Sequence, residues 1–335
     1  GMRVAPDGEN VFSFSLLPAM RSYFSILILS MLGFLASCGG GGKASESIEL
    51  FQRAVYQSAE IRGYSDVTYS RRPNWNGEQY TSDRRKTQEL GTNQLTLLMD
   101  VWVPPNATSV TPMPLVIFVH GGGYNQGGKE DRAEDATGYA RAGFVTASIN
   151  YRLTPNNTDS AELRTTAIVQ ATDDLLNAVR YLKVNASTYH IDTSRIAIVG
   201  SSAGGGLALV GAIEGDPDVL DGTSSDYPGI SSHVAAAVST GATLIDPLFD
   251  SDPLLHYDRN DAPVLLFHAT PQDQTTGATW DGNVVPTKQR IDASGNTCTT
   301  IQTPDAPHAV PLGLDSKWWP TVRDFLWDQL SLSVI

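Results

Sequence analysis

Cysteine is nearly absent. Cys38 and Cys298 are the two in 335 residues, so no disulfide framework is expected and no Cys-x-x-Cys pair offers a metal or redox site. The six histidines, His120, His190, His233, His256, His268 and His308, are scattered, and no His-Glu-x-x-His pair shares one helical face. No metal and no cofactor is therefore expected. Basic residues are scarce too: 23 Lys and Arg stand against 36 Asp and Glu, a formal net charge of -13. That balance repels nucleic-acid phosphates and anionic lipid surfaces, so nucleic acid is not an expected partner. With 41% hydrophobic and 18% charged residues, the composition is that of a globular protein rather than a disordered one.

Long apolar runs are also missing. The run Tyr23 to Ala36 (YFSILILSMLGFLA) falls short of the roughly 20 residues a spanning helix needs. It follows Arg21 and ends in Leu35-Ala36-Ser37-Cys38, the order of a secretory signal peptide: basic region, apolar stretch, small-residue cleavage site. The LASC ending resembles the bacterial lipoprotein signal, which implies that Cys38 is lipidated and becomes the mature N-terminus. Export and anchoring to a bacterial membrane, on its periplasmic or cell-surface face, are the expectation. Met20 is a more natural start than Met2, and Gly1 reads as an expression scar. Gly39 to Gly42 followed by Lys43-Ala44-Ser45 suits a flexible tether. Residues 1–37 are read as extension and signal, 38–60 as tether and N-terminal segment, and 61–335 as one folded domain. Cys298 is then a lone, structural thiol.

What remains alternates. A helix is expected over Ser45 to Glu60, then a polar, turn-rich stretch through Arg85. Apolar strands are expected at Leu95 to Val103, Leu115 to Val119, Phe144 to Asn150, Arg195 to Val199, Val234 to Ser239 and Val264 to Phe267. Helical stretches lie between them at Ala133 to Ala142, Ala161 to Val184 and Gly204 to Ile213, with an aromatic-rich amphipathic helix at Lys317 to Leu330. Short strands without polar alternation, separated by helices, predict an α/β fold with a mainly parallel sheet covered on both faces.

Two glycine-rich segments carry chemistry. The run Arg195 to Val199 enters Gly200-Ser201-Ser202-Ala203-Gly204, and a helical stretch follows. Strand, G-x-S-x-G and helix make a nucleophile elbow, whose tight turn tolerates only small neighbours and exposes the middle serine, Ser202. Upstream, Leu115 to Val119 ends in His120-Gly121-Gly122-Gly123-Tyr124. Glycines let a backbone approach a substrate closely. The N–H groups of Gly121 and Gly122, with that of Ala203 after the nucleophile, can hold an oxyanion. No Gly-Lys-Ser/Thr follows, which disfavours a phosphate loop, and His120 reads as a structural loop residue.

The ordered set of HGGGY, Asn150-Tyr151-Arg152-Leu153 and GSSAGG, with Asp100-Val101-Trp102-Val103-Pro104 ahead of them, resembles the carboxylesterase and hormone-sensitive-lipase-like branch of the α/β hydrolases over roughly residues 95–330. The resemblance implies the α/β-hydrolase fold and a serine carboxylic-ester hydrolase. Two departures stand out: Ser201 sits where the branch often has an acidic residue, and His268-Ala269-Thr270-Pro271-Gln272-Asp273 replaces the usual H-G-x-x-D with an extra residue. The triad order Ser, acid, His leaves His308 as the one histidine after Asp273, hence the base. Asp273 is the expected acid, with Asp281 and Asp246 as alternatives. No long cap insertion is visible, so a shallow pocket is expected, suited to short-chain or polysaccharide-linked acyl esters. The alternatives are a peptidase or acyl-peptide hydrolase, a non-catalytic hydrolase-fold surface-binding protein, and a lipid-binding or transport lipoprotein.

Overall fold

The computed structural model describes residues 49–216, 221–246, 249–250 and 254–333. They belong to a unit spanning Ser47–Ile335; the other unit of the chain, Gly1–Glu46, lies outside the described residues, as does Cys38.

Eight strands form one sheet: β1 (Arg62–Pro73), β2 (Gln94–Val103), β3 (Met113–Val119), β4 (Val145–Ile149), β5 (Ile191–Ser201), β6 (Ala236–Thr240), β7 (Val264–Ala269) and β8 (Cys298–Thr303). Their order is β1-β2-β4-β3-β5-β6-β7-β8. Only β2 runs against its neighbours β1 and β4; the pairs from β4 across to β8 are parallel. This is the α/β-hydrolase arrangement. Every residue of β3, β4, β6 and β7 is buried, as parallel strands covered on two faces must be.

Among the described residues, the helices of nine or more residues that cover it are α1 (Ala133–Arg141), α2 (Ala161–Val184), α3 (Ala203–Ile213), α4 (Val285–Ala293) and α5 (Trp319–Gln329). Helix α2 starts where Ser160 Oγ accepts the Leu163 N–H at 3.1 Å, an N-cap that satisfies one orphan donor. Its apolar residues Ala167, Ala171, Leu175, Ala178 and Leu182 recur at helical spacing and are buried. It packs on α3, which is buried all round. Helices α1 and α5 meet through Tyr139 and Trp319, whose ring centroids are 4.9 Å apart.

Two expectations fail. The described part of the helix expected over 45–60 is a turn followed by a 3-10 turn at Ser58–Glu60. Phe51 donates its N–H to Ala142 O, and Val55 and Tyr56 donate theirs to Arg141 O. These bonds fasten the segment to the end of α1 and outweigh local helix propensity. The stretch expected to be polar turns contains β1 instead. It is a mostly exposed edge strand, irregular in register between Tyr64 and Val67 and between Thr68 and Ser70. With one face in water and bulges interrupting alternation, no period-two signal survives.

Candidate active site

Ser202 occupies the turn between β5 and α3 with φ 54° and ψ -123°. A non-glycine residue at positive φ costs on the order of 1–3 kcal/mol, tolerated when its surroundings over-determine it. Here they do: Ser202 N–H donates to Thr240 O at 2.8 Å and Ser202 O accepts from Gly206 N. A Cβ on Gly200 would stand 1.9 Å from Gly204 O, so the turn closes only with glycine there.

His308 stands across from the serine. Its Nε2 is 2.8 Å from Ser202 Oγ and its Nδ1 is 2.6 Å from Asp273 Oδ2. Asp273 is fully buried, and its other oxygen accepts the N–H groups of Thr275 at 2.9 Å and Thr276 at 3.0 Å. Burial alone would raise the Asp273 pKa; the bonds from His308 and from these two amides outweigh it and hold the carboxyl below its ordinary value. The extra residue before Asp273 is absorbed beyond the end of β7. Asp273 N–H donates to Ala278 O and Trp280 N–H to Pro271 O, closing a loop that holds Asp273 just beyond the carboxyl end of β7. Asp281 is exposed in the π-helical turn Trp280–Val284 and makes no bond to His308. Asp246 lies in the two-residue strand Ile245–Asp246, and its side chain is outside the described residues.

The glycine loop is shaped by what holds its carbonyls. Tyr151 Oη donates to His120 O at 2.9 Å, and His120 Nδ1 lies 2.7 Å from Gly121 O. A carbonyl only accepts, so Nδ1 carries the proton. In a trans peptide the N–H points opposite the preceding C=O, so Gly121 N–H and Gly122 N–H face away from these two partners. Neither they nor Ala203 N–H, the first amide of α3, has an acceptor among the described residues. A Cβ on Gly121 would lie 3.1 Å from Ser202 Cβ, which places this loop against the serine. Gly122 has φ 105°, and a Cβ there would meet Gln126 O at 2.2 Å. The His120 ring stacks on Tyr151 with centroids 4.3 Å apart. Its burial lowers the imidazole pKa to about 4, so it is a neutral, structural group.

The Asn150–Leu153 segment thus has a visible task. Tyr151 sets the glycine loop. Arg152 anchors the segment by pairing with Asp174 at 2.8 Å and Asp173 at 2.7 Å, all three side chains being buried. Sequence reasoning missed this link between Tyr151 and the loop. It also missed Thr240, Thr275 and Thr276, whose signals are single hydroxyls and amides with no motif of their own.

Beside Ser202 and His308 opens a cavity of about 680 Å³. Ala203, Val210, Ile168 and Leu244 give it an apolar flank, and Arg164 and Thr158 a polar end. Its volume falls within the range of small-molecule sites. The first turns of α2 and the segment 241–244 contribute to its wall, and among the described residues no helix of eight or more stands between β6 and β7.

The family described as BD-FAE matches residues 99–246, less than half of the chain. Carboxylesterase NlhH of Mycobacterium tuberculosis is 35% identical over 99 residues, 29% of this chain and 28% of that protein. An ethyl acetate hydrolase of Pseudomonas putida is 31% identical over 116 residues, 34% of each chain. The chain thus spans about a third or less of these curated relatives. Among solved structures, a truncated carbohydrate esterase from gut microbiota aligns with TM-score 0.57 and 18% identity over 81% of this chain and 97% of that one. Esterase 2 of Thermogutta terrifontis, phosphorylated by paraoxon, aligns with TM-score 0.57 and 17% identity over 81% and 95%. At these identities the structures share the fold.

Proposed function

We propose that this chain is a serine esterase that cleaves carboxylic esters through an acyl-enzyme. The observation that carries the reading is His308 bridging Ser202 Oγ at 2.8 Å and Asp273 Oδ2 at 2.6 Å at the mouth of a cavity. Ser202 Oγ attacks the ester carbonyl while His308 Nε2 takes its proton. Asp273, ionised and buried, holds the imidazole and stabilises its charged form. Gly121, Gly122 and Ala203 N–H groups receive the oxyanion, each donor being worth about 10²–10³ in turnover. His308 then protonates the leaving alcohol, and water repeats the sequence on the acyl-enzyme. The carboxylesterase and ethyl acetate hydrolase relatives support the same reaction class.

For substrate we propose short-chain or polysaccharide-linked acyl esters, with the cavity also admitting acyl groups bulkier than acetyl. The carbohydrate esterase among the fold neighbours is in keeping with that class. Labelling with a fluorophosphonate is the test: wild type should be tagged at Ser202 and Ser202→Ala should be neither tagged nor active. Tagging that persists in Ser202→Ala refutes the assignment.

We also propose export and lipidation at Cys38, supported by the LASC ending and the glycines after it. Mass spectrometry of membrane-extracted protein from a bacterial host should find an acylated N-terminal Cys38; an unmodified chain starting elsewhere excludes it.

A further inference from the structure

Three consecutive residues of the glycine loop, Gly122, Gly123 and Tyr124, have φ of 105°, 61° and 62°. Such a run is not held by regular structure. Its internal bonds are those from Asn125 and Gln126 N–H to Gly122 O. The carbonyl of Gly123 is instead gripped from outside. Asn157 Nδ2 donates to it at 2.9 Å and Arg164 Nη1 at 3.2 Å. The two grips are tied to each other, since Arg164 Nη1 also donates to Asn157 Oδ1 at 2.7 Å. Asn157 Nδ2 is anchored further on Thr154 O at 2.9 Å, and Thr154 N–H donates to Tyr124 O at 2.8 Å. Arg164 lies over the Tyr124 ring, 4.8 Å from its centroid. Asn157 is fully buried and Arg164 is 7% exposed.

We propose that Asn157 and Arg164 are positioning residues of the oxyanion loop. The inference rests on the esterase reading and adds to it. Fixing Gly123 O fixes the plane of the Gly123–Tyr124 peptide. With His120 O and Gly121 O already held by Tyr151 and His120, the loop is then pinned on both sides of Gly122. The Gly121 and Gly122 N–H groups keep their aim through the reaction with no reorganisation, which is what makes such donors effective. Arg164 belongs at once to this grip and to the cavity wall.

Asn157→Asp is nearly isosteric and keeps the acceptor for Arg164, but it turns a carboxylate oxygen towards Gly123 O. Arg164→Ala removes the second grip and leaves space at a cavity open to solutes. On p-nitrophenyl acetate both variants should lose about 10–100-fold in kcat, a part of what one oxyanion donor is worth, with KM within about twofold of wild type. Melting temperature should not track the loss. Added guanidinium should restore part of the Arg164→Ala turnover and none of the Asn157→Asp turnover. Unchanged kcat in both variants overturns the proposal, and so does a loss that follows thermal stability and ignores guanidinium. Fluorophosphonate labelling of wild type separates the two levels. Without labelling at Ser202 the esterase reading falls and takes the grip with it; with labelling but silent variants, only the grip falls.

Discussion

Thr240, the last residue of β6, accepts the N–H of Ser202 on its carbonyl oxygen at 2.8 Å. Its hydroxyl oxygen accepts the N–H of Val310, two residues beyond His308, also at 2.8 Å. One residue therefore sets the distance between the strained elbow and the loop carrying the imidazole. Replacing Thr240 by Val keeps the shape and the carbonyl but leaves Val310 N–H buried without its acceptor, a cost of about 1–3 kcal/mol. Thr240→Val should unfold at lower denaturant concentration and turn over about tenfold more slowly. Thr240→Ser should restore most of both. Equal activity of Thr240→Val and wild type in ester hydrolysis would show that the His308 loop is held elsewhere.

Asp273 and Asp281 differ in burial and in bonding. Asp273 is buried and bonded to His308 Nδ1 and two amides, while Asp281 is exposed. Without its carboxylate the imidazole loses its orientation and the partner of its cation, a loss of about 10⁴ in turnover in the chymotrypsin case. Asp273→Asn should therefore lose several orders of magnitude in kcat with KM little changed. Asp281→Asn and Asp246→Asn should retain nearly full activity. Kinetics of the three variants on one ester decide it: a crippled Asp246→Asn beside an active Asp273→Asn would reassign the acid.

Helix α2 was legible to its ends, Ala161 and Val184, because its apolar residues keep the helical period through most of its length. The parallel strands β3 to β7 were legible within a few residues because burial on both faces makes their central stretches continuous apolar runs. Strand β1 was not, since an edge strand with bulges need not alternate. At the candidate site the residue types and their order stood in the sequence: a serine between glycines, one histidine downstream, an aspartate after an apolar strand. The ties that aim them did not. Tyr151 meets His120 across 31 residues and Arg164 meets Gly123 across 41, and nothing local marks a side chain whose task is to hold a distant carbonyl.

His120 offers a pH-dependent test of how the glycine loop is built. Its ring is fully buried, and burial lowers its pKa from 6.5 to about 4. Between those values the unfolded chain binds a proton at this residue that the folded chain refuses. Stability therefore rises with pH: the contribution is whole above about pH 6.5 and is lost as pH falls through about 4. The slope is at most about 1.4 kcal/mol per pH unit, or about 3 kcal/mol across the window. Asp273 also loses stability on acidification, because its folded pKa is depressed, but at lower pH, below the ordinary carboxylate value. His120→Asn separates the two, since an amide can donate to Gly121 O yet does not titrate. Urea unfolding of wild type and His120→Asn from pH 7.5 to 4 should show the variant less stable at the upper end, through lost stacking on Tyr151. The gap should then close as pH falls below 6.5. Two curves that stay parallel across that range would mean that His120 takes up its proton while folded, and that the loop is held by a charged ring rather than a neutral one.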